Sequence, residues 1–240
     1  MSDKRFAVLI DAENVSDKYI KVILDEVSND GTITYKRIYG DWTKGTMSSW
    51  KNVLLNYSIT PIQQYSYTTG KSSTDSAMII DAMDILYSGN VDGFCIVSSD
   101  SDFTRLAVRL RESGMYVMGM GEKKTPSPFV AACNRFKILE IIGNSKESQN
   151  TGYQKTAELN ISIIKNAVTE IIADISDENG WASLSEVGNI LTKRFPSFDT
   201  RHFGHKKLTP FIDSMRSFEI RSMQKGTDPN VKVNYIRNKK

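Results

Sequence analysis

Cysteine and histidine are scarce in this chain, with two of each among 240 residues. Cys95 falls in an expected strand and Cys133 in an expected helix, and they form no CxxC pair and no metal-ligand spacing. Buried free thiols in a reducing cytoplasm fit that usage. His202 and His205 both lie late in the chain, which leaves its first half without an imidazole base or nucleophile. No apolar run approaches the roughly 18 residues that span a bilayer, and no charged-then-apolar leader precedes Phe6. Neither a membrane anchor nor a secretory signal is expected, and the expected location is the cytoplasm. Internal repeats are absent, and no GxGxxG follows the first apolar run, which counts against a dinucleotide-binding protein.

What is present is ordinary in bulk and uneven in distribution. Hydrophobic residues at 40% and charged residues at 25% argue for a folded globular chain. The length suits one large domain or two modest ones. Residues 1–150 carry 17 Lys and Arg against 18 Asp and Glu, residues 151–192 carry 2 against 6, and residues 193–240 carry 12 against 4. The net charge of +3 therefore hides a basic final quarter behind a slightly acidic remainder. Such a quarter suggests a polyanionic partner, although a solvated surface with a charged tail gives the same count.

Through residue 141 the pattern alternates between strand and helix. Strands are expected at 6–10, 32–39, 61–67, 94–97, 116–120 and 136–141, and helices at 15–27, 48–57, 75–87, 102–113 and 126–133. Within these helices, Ile20, Ile23, Leu24 and Val27 share one face, as do Met78, Ile79, Ala82, Met83, Leu86 and Tyr87. This alternation calls for an α/β fold, a parallel sheet with helices on both faces. Residues 143–156, GNSKESQNTGYQKT, are nearly devoid of apolar side chains and read as a flexible linker. The expected division is 1–143, a linker at 144–156, and 157–240. The last part has helices expected at 161–175, 184–195 and 206–215, then strands at 218–223 and 231–236 around KGTDPN. That order describes a small winged-helix-like module.

Four aspartates carry the chemistry. Asp11 ends FAVLID, Asp75 opens the helix after KSST, and Asp100 and Asp102 follow FCIVSS. Open α/β sheets place their sites just beyond the carboxyl ends of the strands. Any one of these acids could simply cap the helix that follows it. Carboxylates gathered at one edge, however, repel one another unless a cation or a shared proton joins them. Hard oxygen ligands of this kind suit Mg²⁺ or Mn²⁺. One or two such ions would activate a water and stabilise charge on a scissile phosphate. Asp81 lies deeper in its helix and reads as a packing or supporting residue, and Asp84 as solvated. Lys71, Ser72 and Ser73 before Asp75 could hold phosphates, as could Arg105, Lys123 and Lys124.

The three segments FAVLIDAENV, KSSTDSAMIIDAMD and FCIVSSDSDFTRLAVRLRESGMYVMGMG, in that order, closely resemble the NYN family of PIN-like nucleases. The resemblance covers about residues 5–142. It implies a Rossmann-like sheet and a metal-dependent ribonuclease site of Asp11, Asp75, Asp100 and Asp102, with Asn14 as polar partner. Ser99 stands where members of the family often have glycine, a departure that bears on local turn geometry.

The segment WASLSEVGNILTKRFPSFDTRHFGHKKLTPFIDSMRSFEIR looks like a LOTUS, or OST-HTH, domain, a resemblance covering about residues 160–237. It implies an RNA-binding or protein-docking winged helix. In the residues themselves, Arg201, His205, Lys206 and Lys207 form a basic cluster near a helix start, able to meet phosphates. Gly204 is expected to supply an unusual backbone angle. Phe195, Phe198, Phe203 and Phe211 are expected in the core.

The reading that joins these features is a Mg²⁺- or Mn²⁺-dependent endoribonuclease acting on RNA. A catalytically silent RNA-binding adaptor is the alternative. A phosphatase of the haloacid dehalogenase kind would need DxD after the first strand, where Asp11-Ala12-Glu13 stands. A response-regulator-like receiver lacks its second acid near Asp11. Protein docking through the second module and a homodimer stay open, and nothing identifies a contact to a 2′-hydroxyl that would separate RNA from DNA.

Overall fold

The computed structural model describes residues 3–65, 73–143, 160–224 and 232–239. The expected linker, Lys71 with Ser72, and the KGTDPN segment at 225–230 lie outside the described residues. Two compact units divide the chain, Met1–Lys146 and Glu147–Lys240.

The first unit is built on six strands: β1 (Lys4–Asp11), β2 (Gly31–Gly40), β3 (Thr60–Gln63), β4 (Gly93–Val97), β5 (Tyr116–Gly121) and β6 (Arg135–Ile138). All neighbours pair in parallel, in the order β3-β2-β1-β4-β5-β6. The helices are α1 (Ile20–Ser28), α2 (Trp50–Tyr57), α3 (Ser73–Ser88), α4 (Thr104–Glu112), α5 (Ser127–Ala132) and α6 (Leu139–Gly143). Side chains alternate across a strand, so β1 sends Phe6, Val8 and Ile10 to one face and Ala7 and Leu9 to the other. The first set packs with Ile20, Ile23 and Val27 of α1, Trp50 of α2 and Ile142 of α6. The second packs with Met78, Ala82 and Ile85 of α3, Leu106 and Leu110 of α4 and Phe129 of α5. Burial on both faces explains why FAVLI is continuously apolar rather than alternating. Each fully buried Leu, Ile, Val or Phe stabilises this arrangement by about 1.5–3 kcal/mol.

The strand order reverses between β1 and β4. Chain connections leave in opposite directions from that point, opening a crevice at the carboxyl ends of the two strands. Asp11 and the 98–102 segment lie there.

Three details differ from the sequence pattern. The last strand stops at Ile138, and the rest of its apolar run becomes α6, whose Leu139 and Ile142 reach the core at helical spacing. On α3 the buried stripe is Met78, Ala82 and Ile85, while Tyr87 and Ile80 face outward. The helix expected from residue 15 opens as a 3₁₀ turn at Asp17–Tyr19, and that expected from 102 as one at Ser101–Phe103.

The second unit contains α7 (Ile161–Ile175), a two-residue strand β7 (Ala182–Ser183), α8 (Leu184–Arg194), α9 (Leu208–Ser214), β8 (Phe218–Gln224) and β9 (Lys232–Asn238). Its antiparallel sheet runs β7-β9-β8. β7 is too short to have left a periodic signal. Ile164, Val168 and Ile171 of α7 meet Val187 and Leu191 of α8, Phe211 of α9 and Ile236 of β9. Phe198, Phe203 and Phe211 form a ring cluster, with the last two centroids 4.8 Å apart, so these aromatics belong to the core. Gly204 adopts φ of 78°, the left-handed conformation expected of it. Both cysteines are free and buried. Burial pushes the Cys95 thiol up and the Cys133 thiol to about 12. Among the described residues no helix is long and apolar enough to cross a membrane.

Candidate active site

Asp11 is the last residue of β1 and is 1% exposed. Its Oδ2 accepts hydrogen bonds from Asn14 Nδ2 at 2.7 Å and from Ser98 Oγ at 2.8 Å. Its Oδ1 accepts from the Glu13 amide at 3.0 Å. Burial raises the carboxyl above its ordinary range, and the bonds from Asn14 and Ser98 oppose that shift. Ser98, wholly buried just beyond β4, also accepts from the Asp100 amide at 3.1 Å. One hydroxyl therefore ties the acid of β1 to the acidic loop of β4.

Asp100 sits before the 3₁₀ turn Ser101–Phe103 and accepts from the Asp102 amide at 3.0 Å. Capping and clustering are thus done by the same residue. Asp75, in the first turn of α3, is buried. One carboxylate oxygen from each of Asp75, Asp100 and Asp102 lies within 4.8 Å of the other two. Asp11 is not a member of that group. Of the four expected acids, three converge, and Asp11 is engaged with Ser98 and Asn14.

The donor set is all oxygen and all anionic, the chemistry that hard divalent cations prefer over softer metals. Beside Asp75, the Thr74 hydroxyl is buried and has no hydrogen-bond partner, an orphan that a bound ion's water shell could satisfy. Asp75, Asp100 and Asp102 fit a hard divalent cation on these grounds.

The neighbouring loop is tightly built. Ser99 Oγ accepts from the Glu122 amide at 2.8 Å, fastening the chain after β5 to the chain after β4. Serine, where the resemblance leads one to expect glycine, therefore supplies a tether, and its backbone needs no positive φ. Gly121 passes so close that a Cβ there would lie 2.6 Å from the Ser98 carbonyl oxygen. Lys124 pairs with Glu122 at 3.0 Å, and the Lys123 amide donates to Glu140. Arg105 is exposed on α4. Asp81 accepts from Arg37 and the buried Tyr39 hydroxyl, which joins α3 to β2 and makes it a packing residue. Asp84 is exposed.

Two residues escaped the sequence reading. Ser98 resembles any loop serine unless its place between a strand and an acid is weighed. Asp41 follows β2 as Asp11 ends β1, yet the intervening Gly40 broke the apolar run that flags a strand end. It is 6% exposed, and its Oδ1 accepts from Thr43 Oγ1 at 2.6 Å and Gln63 Nε2 at 3.0 Å.

In the second unit Arg201 is clamped by Asp199, with Nη2 to Oδ2 at 2.6 Å and Nε to Oδ1 at 2.9 Å. Burial works against the Asp199 carboxylate, yet Arg201 holds its pKa below the ordinary value. His205 lies against Phe211, with ring centroids 5.8 Å apart. Lys206 and Lys207 are exposed ahead of α9.

A six-stranded parallel sheet with acids at its switch point is an arrangement shared by several families, and comparison with known ones separates them. The model of the NYN domain matches residues 5–140, more than half of the chain. The chain belongs to the NYN family. The model of the OST-HTH/LOTUS domain matches residues 159–229. No curated protein matches the chain. Among solved structures, the chain is similar to a protein of unknown function from Vibrio parahaemolyticus, at 17% identity over 56% of this chain and 91% of that one, with a TM-score of 0.46. It is also similar to an uncharacterized protein from Nitrosomonas europaea, at 29% identity over 40% of this chain and 90% of that one, with a TM-score of 0.30. The NYN domain carries a PIN-like nuclease fold, and the LOTUS domain is an RNA- or protein-binding module. Asp11, Asp75, Asp100 and Asp102 all lie inside the NYN match.

Proposed function

We propose that the protein is a Mg²⁺- or Mn²⁺-dependent endoribonuclease whose NYN domain hydrolyses RNA phosphodiester bonds. The observation that carries this reading is the convergence of Asp75, Asp100 and Asp102 from two different elements. These three residues would hold the cation. When bound, it supplies an activated water and stabilises charge on the scissile phosphate. Asp11, oriented by Asn14, keeps Ser98 in place, and Ser98 in turn holds the Asp100 amide. That role for Asp11 supports the ligand set from behind, alongside the direct ligation implied by family resemblance. Lys71, Ser72 and Arg105 are the proposed phosphate contacts on the nuclease side.

The LOTUS domain, residues 157–240, is proposed as an RNA-holding module joined to residues 1–143 through the segment 144–156. Lys206 and Lys207 are its exposed cations near α9. Arg201 and His205 stand beside them, Arg201 with part of its charge engaged by Asp199. Buried reduced thiols support a cytoplasmic setting.

The test is metal-dependent cleavage of a labelled RNA by the native chain and by Asp100→Asn, with manganese binding followed separately by electron paramagnetic resonance. Asp100→Asn keeps the shape and removes one anionic ligand, so both cleavage and Mn²⁺ affinity should fall while the thermal unfolding profile stays cooperative. Undiminished cleavage by the Asp11→Asn, Asp100→Asn double variant would falsify the site.

A further inference from the structure

A groove of about 770 Å³ runs along the second unit, between the end of α7, the turn at 177–180 and the outer ends of β8 and β9. Arg237, Asn238 and Lys239 line it, and all three lie beyond the 159–229 stretch matched by the LOTUS model. The rest of its lining falls inside that stretch.

We propose that this groove seats one unstacked base of a single-stranded RNA, with the Arg237 guanidinium as its stacking platform. The proposal rests on the reading of the second unit as an RNA-holding module and names where that module grips.

Arg237 is held as a plane. Its Nη2 pairs with Glu219 Oε2 at 2.5 Å, and its Cζ lies 4.6 Å from the centroid of the Trp181 ring. The carboxylate holds the guanidinium from its edge and the indole covers one face, yet two fifths of the side chain is exposed. Guanidinium planes stack on bases as they stack on aromatic rings. The turn that carries Trp181 is fixed as well: Asp177 Oδ1 accepts from the amides of Asn179 and Trp181, both at 2.9 Å.

The charge around the groove selects the kind of ligand. Glu178 and Glu219 are matched by Arg237 and Lys239, so the groove is not an anion trap. A neutral flat group fits that balance, with its phosphate outside near the exposed Lys239. One acceptor stands open at the rim. The Glu178 carboxylate is exposed there, while the Asn238 side chain is tied to the fold, its Nδ2 donating to the Thr169 carbonyl at 3.2 Å. A base edge bearing N–H groups can donate to that carboxylate. The polyanionic part of the ligand follows from composition, since residues 193–240 carry 12 Lys and Arg against 4 Asp and Glu.

The test uses the full chain in EDTA, with fluorescence anisotropy of a labelled single-stranded oligoribonucleotide and of an abasic oligomer of the same length. The native chain should bind the base-bearing oligomer about tenfold more tightly, the order that one base–side-chain stack contributes. Arg237→Lys keeps the charge and loses the plane. Ala173→Phe fills the groove from an exposed position on α7 and leaves the Arg237 pair untouched. Both should abolish the preference and leave abasic affinity and its salt dependence unchanged. If either variant keeps the preference, the groove is not the base site. Equal binding of both oligomers by the native chain overturns the groove alone. Absence of affinity for either at low salt overturns the RNA-holding reading of the module with it, and leaves protein docking as its use.

Discussion

Ser98 has no exposed surface, and its single oxygen donates to Asp11 and accepts from the Asp100 amide. Ser98→Ala leaves the Asp11 carboxylate short of a donor in a buried setting, which costs about 1–3 kcal/mol of stability. It also frees the Asp100 loop to drift, and loss of a residue that orients ligands typically lowers metal affinity or activity about 10–100-fold. Urea unfolding and Mn²⁺ titration of the variant check the two effects separately. If Ser98 is only core filler, stability falls and metal affinity does not. The four aspartates were legible because each stands where an apolar run stops or a helix starts. The link from Asp11 through Ser98 to the Asp100 loop was not, because a linear pattern locates a strand end but not the hydroxyl that engages it.

At the scale of elements, Arg5 at the start of β1 is tied to Asp92, just ahead of β4. The Arg5 amide and guanidinium both donate to Asp92, at 2.8 Å and 3.1 Å. The side-chain bond from Arg5 leads in holding the Asp92 carboxyl at about 2, below its ordinary 3.8. A depressed carboxyl contributes stability that is present above its unfolded value and lost as pH falls through the folded one. The native chain should therefore exceed Asp92→Asn in urea midpoint at pH 5, and the gap should close between pH 4 and pH 2. A constant gap over that range would show that the pair does not titrate as described. Gly121, at the end of β5, gives a second prediction. Gly121→Ala places a methyl group against the Ser98 carbonyl and Thr125 Oγ1, so the loop must shift, with loss of both stability and cleavage. Circular dichroism melts and a cleavage assay read these outcomes.

The order of elements was legible because buried parallel strands read as short apolar runs and their helices as 3.6-residue stripes. Element ends were less so. ILEII satisfies a strand and a helix equally, and only packing of Leu139 and Ile142 against the sheet resolved it into α6. Tyr87 completes a helical stripe in sequence, yet the space beneath α3 is filled by Met78, Ala82 and Ile85, leaving the tyrosine outside.

For the whole molecule, the segregation of charge predicts a division of labour. Replacing Lys206 and Lys207 with glutamate should weaken RNA binding and flatten its salt dependence, because fewer counterions are released. Cleavage should slow at low RNA and keep nearly the same rate at saturation, since tethering raises local concentration without touching the acids. Steady-state kinetics on both sides of KM decide; a fall in the saturated rate would place the lysines in the cleavage step instead. Strand order has a further consequence, for synthesis. β1 is made first but lies between β2 and β4, and the bond from Ser98 to Asp11 spans 87 residues. At roughly 5–20 residues per second, the ribosome needs about 4–17 seconds to make the chain between them. Throughout that interval the first strand has an open edge and Asp11 has no serine to meet. A nascent chain cannot assemble these acids until β4 has emerged, so a stalled, partly made copy should be inert toward the RNA around it.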